Sequence, residues 1–151
     1  MTTDTTDRTM SFFRVIKAPV AVVWGAWMNP DTLPQWWGPE GYSCRTSRID
    51  LRQGGDWVFD MIGPDGTVWP NHHRYSVVQP RTRIEYILHW GENGPKHADG
   101  SATFEDLGAS TKVTLSMIFN TPEEYETAKG FGAVELGLQT LGKLARFIGA
   151  E

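Results

Sequence analysis

A single cysteine, Cys44, stands in a chain of 151 residues. That excludes an internal disulfide and leaves no second thiol for a zinc site, and it suits a reducing cytoplasm. Positive charge is scarce as well: 14 Lys and Arg stand against 18 Asp and Glu, for a net charge of -4. The arginines are interspersed with apolar or acidic residues, so the broad basic field that nucleic acid requires is missing. No apolar run reaches the roughly eighteen residues of a membrane span. Residues 1–10, with Asp4, Asp7 and Arg8 among threonines, contain no run of signal-peptide length. The expectation is a soluble, unexported, cytoplasmic protein with neither membrane nor nucleic acid as partner, a monomer or weak homodimer.

Catalytic signatures are absent too. There is no G-x-S-x-G turn, no G-x-x-x-x-G-K phosphate loop and no histidine pair at ligand spacing on a helix. His72 and His73 are adjacent, and neighbouring side chains on a strand point to opposite faces, so the two do not share a metal. No metal and no cofactor are expected, and no catalytic residue is assigned.

Aromatic side chains, in contrast, are plentiful, with seven tryptophans, seven phenylalanines and four tyrosines. Such a load fills a core or walls a ligand site. Residues 1–10 read as a disordered tail and 11–151 as one domain, a length that buries roughly two thirds of the unfolded surface. Phe12 to Lys17 reads as a strand, ended where Pro19 opens a short helix over 19–28. Asn29-Pro30-Asp31 stops that helix and caps a second short piece that runs to Trp37. Tyr42 to Arg52 reads as a strand and Gly54-Gly55 as a bend. Alternation then marks strands over Trp57–Ile62, Val68–Val78, Ile84–Trp90, Ala102–Glu105 and Val113–Phe119, with Pro64-Asp65-Gly66 as a hairpin turn and 91–99 as a loop.

The last stretch, 121–151, organises the rest. Thr121, Pro122 and Glu124 form a helix-start signal. Phe131, Val134, Leu138, Leu141, Ala145 and Ile148 then recur at spacings of three and four, a stripe about five turns long. One long helix is expected, with its apolar face covered by the preceding strands. The fold class is therefore α+β, a curved antiparallel sheet of about seven strands wrapped around a long C-terminal helix, with two short helices after the first strand. A bent sheet diverges from a straight rod at one end, and that gap is the candidate site.

Several motifs, in order, resemble a known family. They are the run from Pro19 to Trp27, Asn29-Pro30, Trp36-Trp37-Gly38-Pro39, Arg52 with Gly54-Gly55, Gly63-Pro64-Asp65-Gly66, Thr103-Phe104-Glu105, and Phe131-Gly132-Ala133-Val134-Glu135 followed by Gln139-Thr140-Leu141. Over 11–149 the chain is similar to the SRPBCC (START-like) superfamily, in the branch named for homology to the C-terminal domain of the activator of the heat-shock-protein-90 ATPase. The resemblance implies a helix-grip fold around a cavity for apolar or aromatic small molecules, and no catalytic motif is carried over. Many relatives have a tryptophan in the last helix where this chain has Gly137, so either the cavity is larger here or another aromatic fills the space.

The residues expected to line the cavity come from both walls. Trp57, Phe59 and Met61 share a face of one strand, His73 and Tyr75 of the next, and Tyr86, Phe104, Leu115 and Met117 extend that face across the sheet. Val134, Leu138 and Leu141 oppose them from the helix. Glycines at 130, 132, 137 and 142 each cost about 1 kcal/mol of helix stability against alanine, which close packing or ligand space would explain. Trp36 and Trp37 stand where a lid would be, and Glu135 with Arg48 could form a polar pair near the cavity. Three functions fit: binding of a small hydrophobic or aromatic molecule, an enzyme like the polyketide cyclases or hydrolases that uses His73 and a second polar group, or a co-chaperone-like protein-interaction module.

Overall fold

The computed structural model describes residues 5–150. Seven strands form one antiparallel sheet: β1 (Thr9–Ile16), β2 (Ser43–Ile49), β3 (Asp56–Ile62), β4 (Val68–Gln79), β5 (Arg83–His89), β6 (Lys96–Asp106) and β7 (Thr111–Phe119). Their order across the sheet is β1-β7-β6-β5-β4-β3-β2. Between β1 and β2 lie α1 (Val20–Trp27) and α2 (Leu33–Trp36); α3 (Pro122–Gly130) and α4 (Ala133–Phe147) follow β7. Register shifts between Thr46 and Arg48 in β2 and between Tyr75 and Val77 in β4 interrupt the ladders. Each such irregularity adds local bend and twist, which curls the sheet around its helical face.

Strand alternation sorts the side chains. Trp57, His73, Leu88, Ala98 and Phe119 are successive cross-strand partners, as are Tyr75, Tyr86, Gly100, Met117 and Met10. Directly paired residues share a face, so these rows line the inner surface. On the outer surface His72 pairs with Asp56, whose carboxylate also takes a two-pronged contact from Arg48 at 3.1 and 2.6 Å. Arg48 also pairs with Glu92, so it meets carboxylates on the convex side and not Glu135.

Three further expectations change. The tail shortens, because Thr6–Arg8 form a turn of 3-10 helix and β1 begins at Thr9; residues 1–4 of the expected disordered segment lie outside the described residues. β6 begins at Lys96, inside the expected 91–99 loop.

The long helix is two helices. Thr121 Oγ1 caps α3 by accepting from the Glu124 N–H at 3.1 Å. α3 ends at Gly130, and after Phe131 a Gly132 held at φ +86° precedes α4, which starts at Ala133. The left-handed conformation at Gly132 is one that residues with a Cβ adopt only at a cost, and it turns the chain out of the first helix. Phe131, first in the expected stripe, is thrown outward and is 72% exposed.

Candidate functional site

The middle of the sheet and the helical layer interlock. Trp57 and Phe59 stack at 3.6 Å between ring centroids, and the His73 ring lies against Tyr86 at 4.6 Å, Phe59 at 5.1 Å and Trp57 at 5.5 Å. Trp37 covers His73 from α2 at 5.5 Å. All of these except Trp37, which is half-buried, are buried, as are Tyr75, Leu115 and Leu141. Phe104 packs edge-on against Trp24 and Trp27 of α1, and Met117 joins a separate cluster with Met10, Ala98 and Phe119. Trp36, placed at the lid by the sequence, is an interior residue whose Nε1 donates to the Ala26 carbonyl at 3.2 Å; two adjacent tryptophans are accommodated because Trp37 ends the helix and turns sideways.

The notch at Gly137 is filled as well. A Cβ built there would stand 2.1 Å from the Phe12 ring, so the glycine admits an aromatic from β1 in close packing. Phe12 is therefore the side chain that occupies the space beside Gly137.

Space remains at one end, where α3 breaks into α4. A cavity of about 230 Å³ opens there. Met61, Asn71 and Leu88 form its sheet wall, and Leu136 and Phe131 its helical wall. Pro39 and Tyr42 close one side; Trp69, Trp90 and His97 close the other. Trp69, Trp90 and Phe131 are exposed and make the rim. Of the residues expected to line the cavity, Met61 is the one in the lining of this opening. Val134 is exposed and Leu138 half-buried, both on the helix but outside the lining.

Two loops position these walls. The loop with Pro39 and Tyr42 is tied to α4 by three polar side chains spaced four and three apart. Gln139 Oε1 accepts from the Glu40 N–H at 3.1 Å, Lys143 Nζ donates to the Pro39 and Tyr42 carbonyls at 3.3 and 3.2 Å, and Arg146 pairs with both Glu40 oxygens at 2.8 and 3.2 Å. The 91–95 turn is held by Trp90 N–H to Pro95 O and by the Arg48–Glu92 pair, which sets the Trp90 ring 4.4 Å from His97. Sequence reasoning assigned neither loop to the site. The i, i+4, i+7 polar stripe on α4 was the signal available for the first; the second depends on contacts between residues far apart in the chain.

Electrostatically the cavity is neutral, since none of its lining side chains is an acid, a lysine or an arginine. Burial holds the His97 imidazole below its ordinary pKa, against an opposing pull from Glu124. Deeper in, burial and then the neighbouring His72 bring His73 down to about 3, and burial pushes the Tyr75 and Tyr86 hydroxyls up. Cys44 is pushed up to about 12 by burial, and its thiol sits 3.5 Å from the Trp37 carbonyl. These groups keep their neutral forms near pH 7, so the site offers apolar contact and uncharged hydrogen bonds. No group of three or more His, Cys, Asp or Glu among the described residues could hold a metal ion.

A sheet curled around a terminal helix, with a cavity between them, defines a helix-grip protein of the SRPBCC superfamily. The chain belongs to the Activator of Hsp90 ATPase homolog 1-like family, whose model it matches over residues 17–149. Among solved structures, a protein from Arthrobacter aurescens is 21% identical with a TM-score of 0.86, covering 98% of this chain and 90% of that one. A protein from Nitrosomonas europaea is 22% identical with a TM-score of 0.83, covering 95% and 96%. CalU16 from Micromonospora echinospora is 19% identical with a TM-score of 0.63, covering 93% and 75%. These likenesses concern the fold. A search of curated proteins finds no match. No helix among the described residues is long and apolar enough to cross a membrane.

Proposed function

We propose that the protein binds a small hydrophobic or aromatic molecule in the cavity at the α3–α4 break, and not along the whole length of the terminal helix. The observation that carries this reading is the cavity itself: about 230 Å³, walled by Met61, Leu88, Leu136 and aromatic rings, with no charged side chain in its lining. An apolar cavity of about 150 Å³ suffices for benzene, so a body of one or two rings is the right size. Burying its surface contributes about 25 cal/mol per Å² before ordering costs. An enzyme reading asked for a second polar group beside His73, but rings surround that imidazole and Tyr86 meets it face to face rather than through its hydroxyl.

The test uses Trp69 and Trp90, which stand in the wall. Titration with naphthalene should quench tryptophan fluorescence saturably. Met61→Trp, which fills the cavity, should abolish the effect while the protein keeps a cooperative melt. Quenching that survives in Met61→Trp would place the ligand elsewhere.

A further inference from the structure

Asn71 is the one buried polar side chain that borders the cavity. It sits on the inner face of β4 opposite Phe59 and is 4% exposed. Its Nδ2 donates to the carbonyl of Trp69 at 2.9 Å, which fixes the orientation of the amide plane. Among the described residues no donor pairs with Oδ1. Among the described residues the fully enclosed polar atom without a partner is Arg14 Nε. Asn71 Oδ1 is therefore not sealed in, and the opening beside the residue is the cavity that it lines. A buried amide facing rings and methyl groups discriminates between ligands of the same shape, because a ligand that leaves the acceptor unmatched forfeits a hydrogen bond that water would have made.

We infer that the ligand is a neutral one- or two-ring aromatic carrying a single O–H or N–H donor, seated with that donor on Asn71 Oδ1. The inference rests on the cavity's being a binding site. Charge is selected against from both directions: no lysine or arginine lines the cavity to meet a carboxylate, and no acid lines it to meet an amine. His97, kept neutral by burial, adds no cation. Donor preference would come from Asn71, and the size limit from the walls.

Calorimetric titration with 2-naphthol, naphthalene and 2-naphthoate tests this. Simple partitioning into an apolar site favours naphthalene over the more polar naphthol, so the order expected here is the reverse. In the native protein 2-naphthol should bind about five- to tenfold tighter than naphthalene, the worth of one hydrogen bond, and 2-naphthoate at least about tenfold weaker than 2-naphthol. In Asn71→Leu the ratio of naphthol to naphthalene affinity should fall to about one or below, whatever the two absolute affinities become. Equal binding of naphthol and naphthalene, tighter binding of naphthoate, or an advantage that persists in Asn71→Leu overturns the inference while leaving the cavity a binding site. Binding of none of the three overturns both. Should Asn71→Leu fail to fold, the ranking in the native protein decides alone.

Discussion

His73 is a titratable residue enclosed by aromatic rings, and this enclosure makes it sensitive to acid. Its pKa in the folded protein falls to about 3 from an ordinary 6.5, chiefly through burial. In the unfolded chain the imidazole takes a proton near pH 6.5; in the folded chain it does not until about pH 3. Stability from this group is full above the unfolded value and declines as pH falls through that window, by as much as about 1.4 kcal/mol per pH unit. His73→Phe should flatten urea-unfolding stability between pH 6 and about 4; an unchanged slope would mean that the ring is not enclosed as described. Asp56, lowered to about 2 chiefly by Arg48 and further by His72, against burial, acts in a lower window. Its stabilisation holds above the ordinary 3.8 and fades as pH falls toward 2, so Asp56→Asn should change the acid limb only below about pH 4. That the two adjacent histidines separate, one inside and one outside, was legible in the sequence, because alternation along a strand requires it. That the inner one is enclosed by rings was not, since enclosure depends on side chains from β3, β5 and the end of α2.

At the scale of elements, the terminal helix shows where reading the sequence succeeds and where it stops. Apolar spacing located the helical face, and cap residues located its start at Thr121. The break was hidden because the three-and-four spacing runs on from Phe131 to Val134, while backbone φ at Gly132 is decided by how α3 and α4 dock. Gly132→Ala should cost about 1 kcal/mol or more, seen as a lowered melting temperature, because a Cβ is strained at φ +86°. Gly137 poses a sharper question, since alanine there gains helix propensity of about 1 kcal/mol but collides with Phe12. The collision should win, for a net loss of about 1–3 kcal/mol. In a Phe12→Ala background the sign should reverse and Gly137→Ala should stabilise. Equilibrium denaturation of the four variants in this cycle reads the coupling directly. A loss that persists in the Phe12→Ala background would separate the glycine from that ring.

For the whole molecule, the order of strands and helices and the grip of sheet on helix follow from patterning that a single sequence displays. The bend of the sheet also pointed to a gap at one end, but not to the residues that border it. Large side chains on the concave face were expected to line it, yet Trp57, Phe59 and Tyr86 pack the middle, Phe12 fills the notch, and the opening lies at the helix break. Met61 was singled out by alternation. Asn71, Leu88, Trp90 and Leu136 join it only because two loops and a helix junction converge there. The central claim is thus a closed middle and an open end. Methyl-resolved NMR of Leu and Met side chains during titration with 2-naphthol tests it most directly. The Met61, Leu88 and Leu136 methyls should shift saturably, while Leu115, Leu141 and Leu144 stay still. Shifts concentrated on Leu115 and Leu141, with Leu88 and Leu136 unmoved, would contradict it.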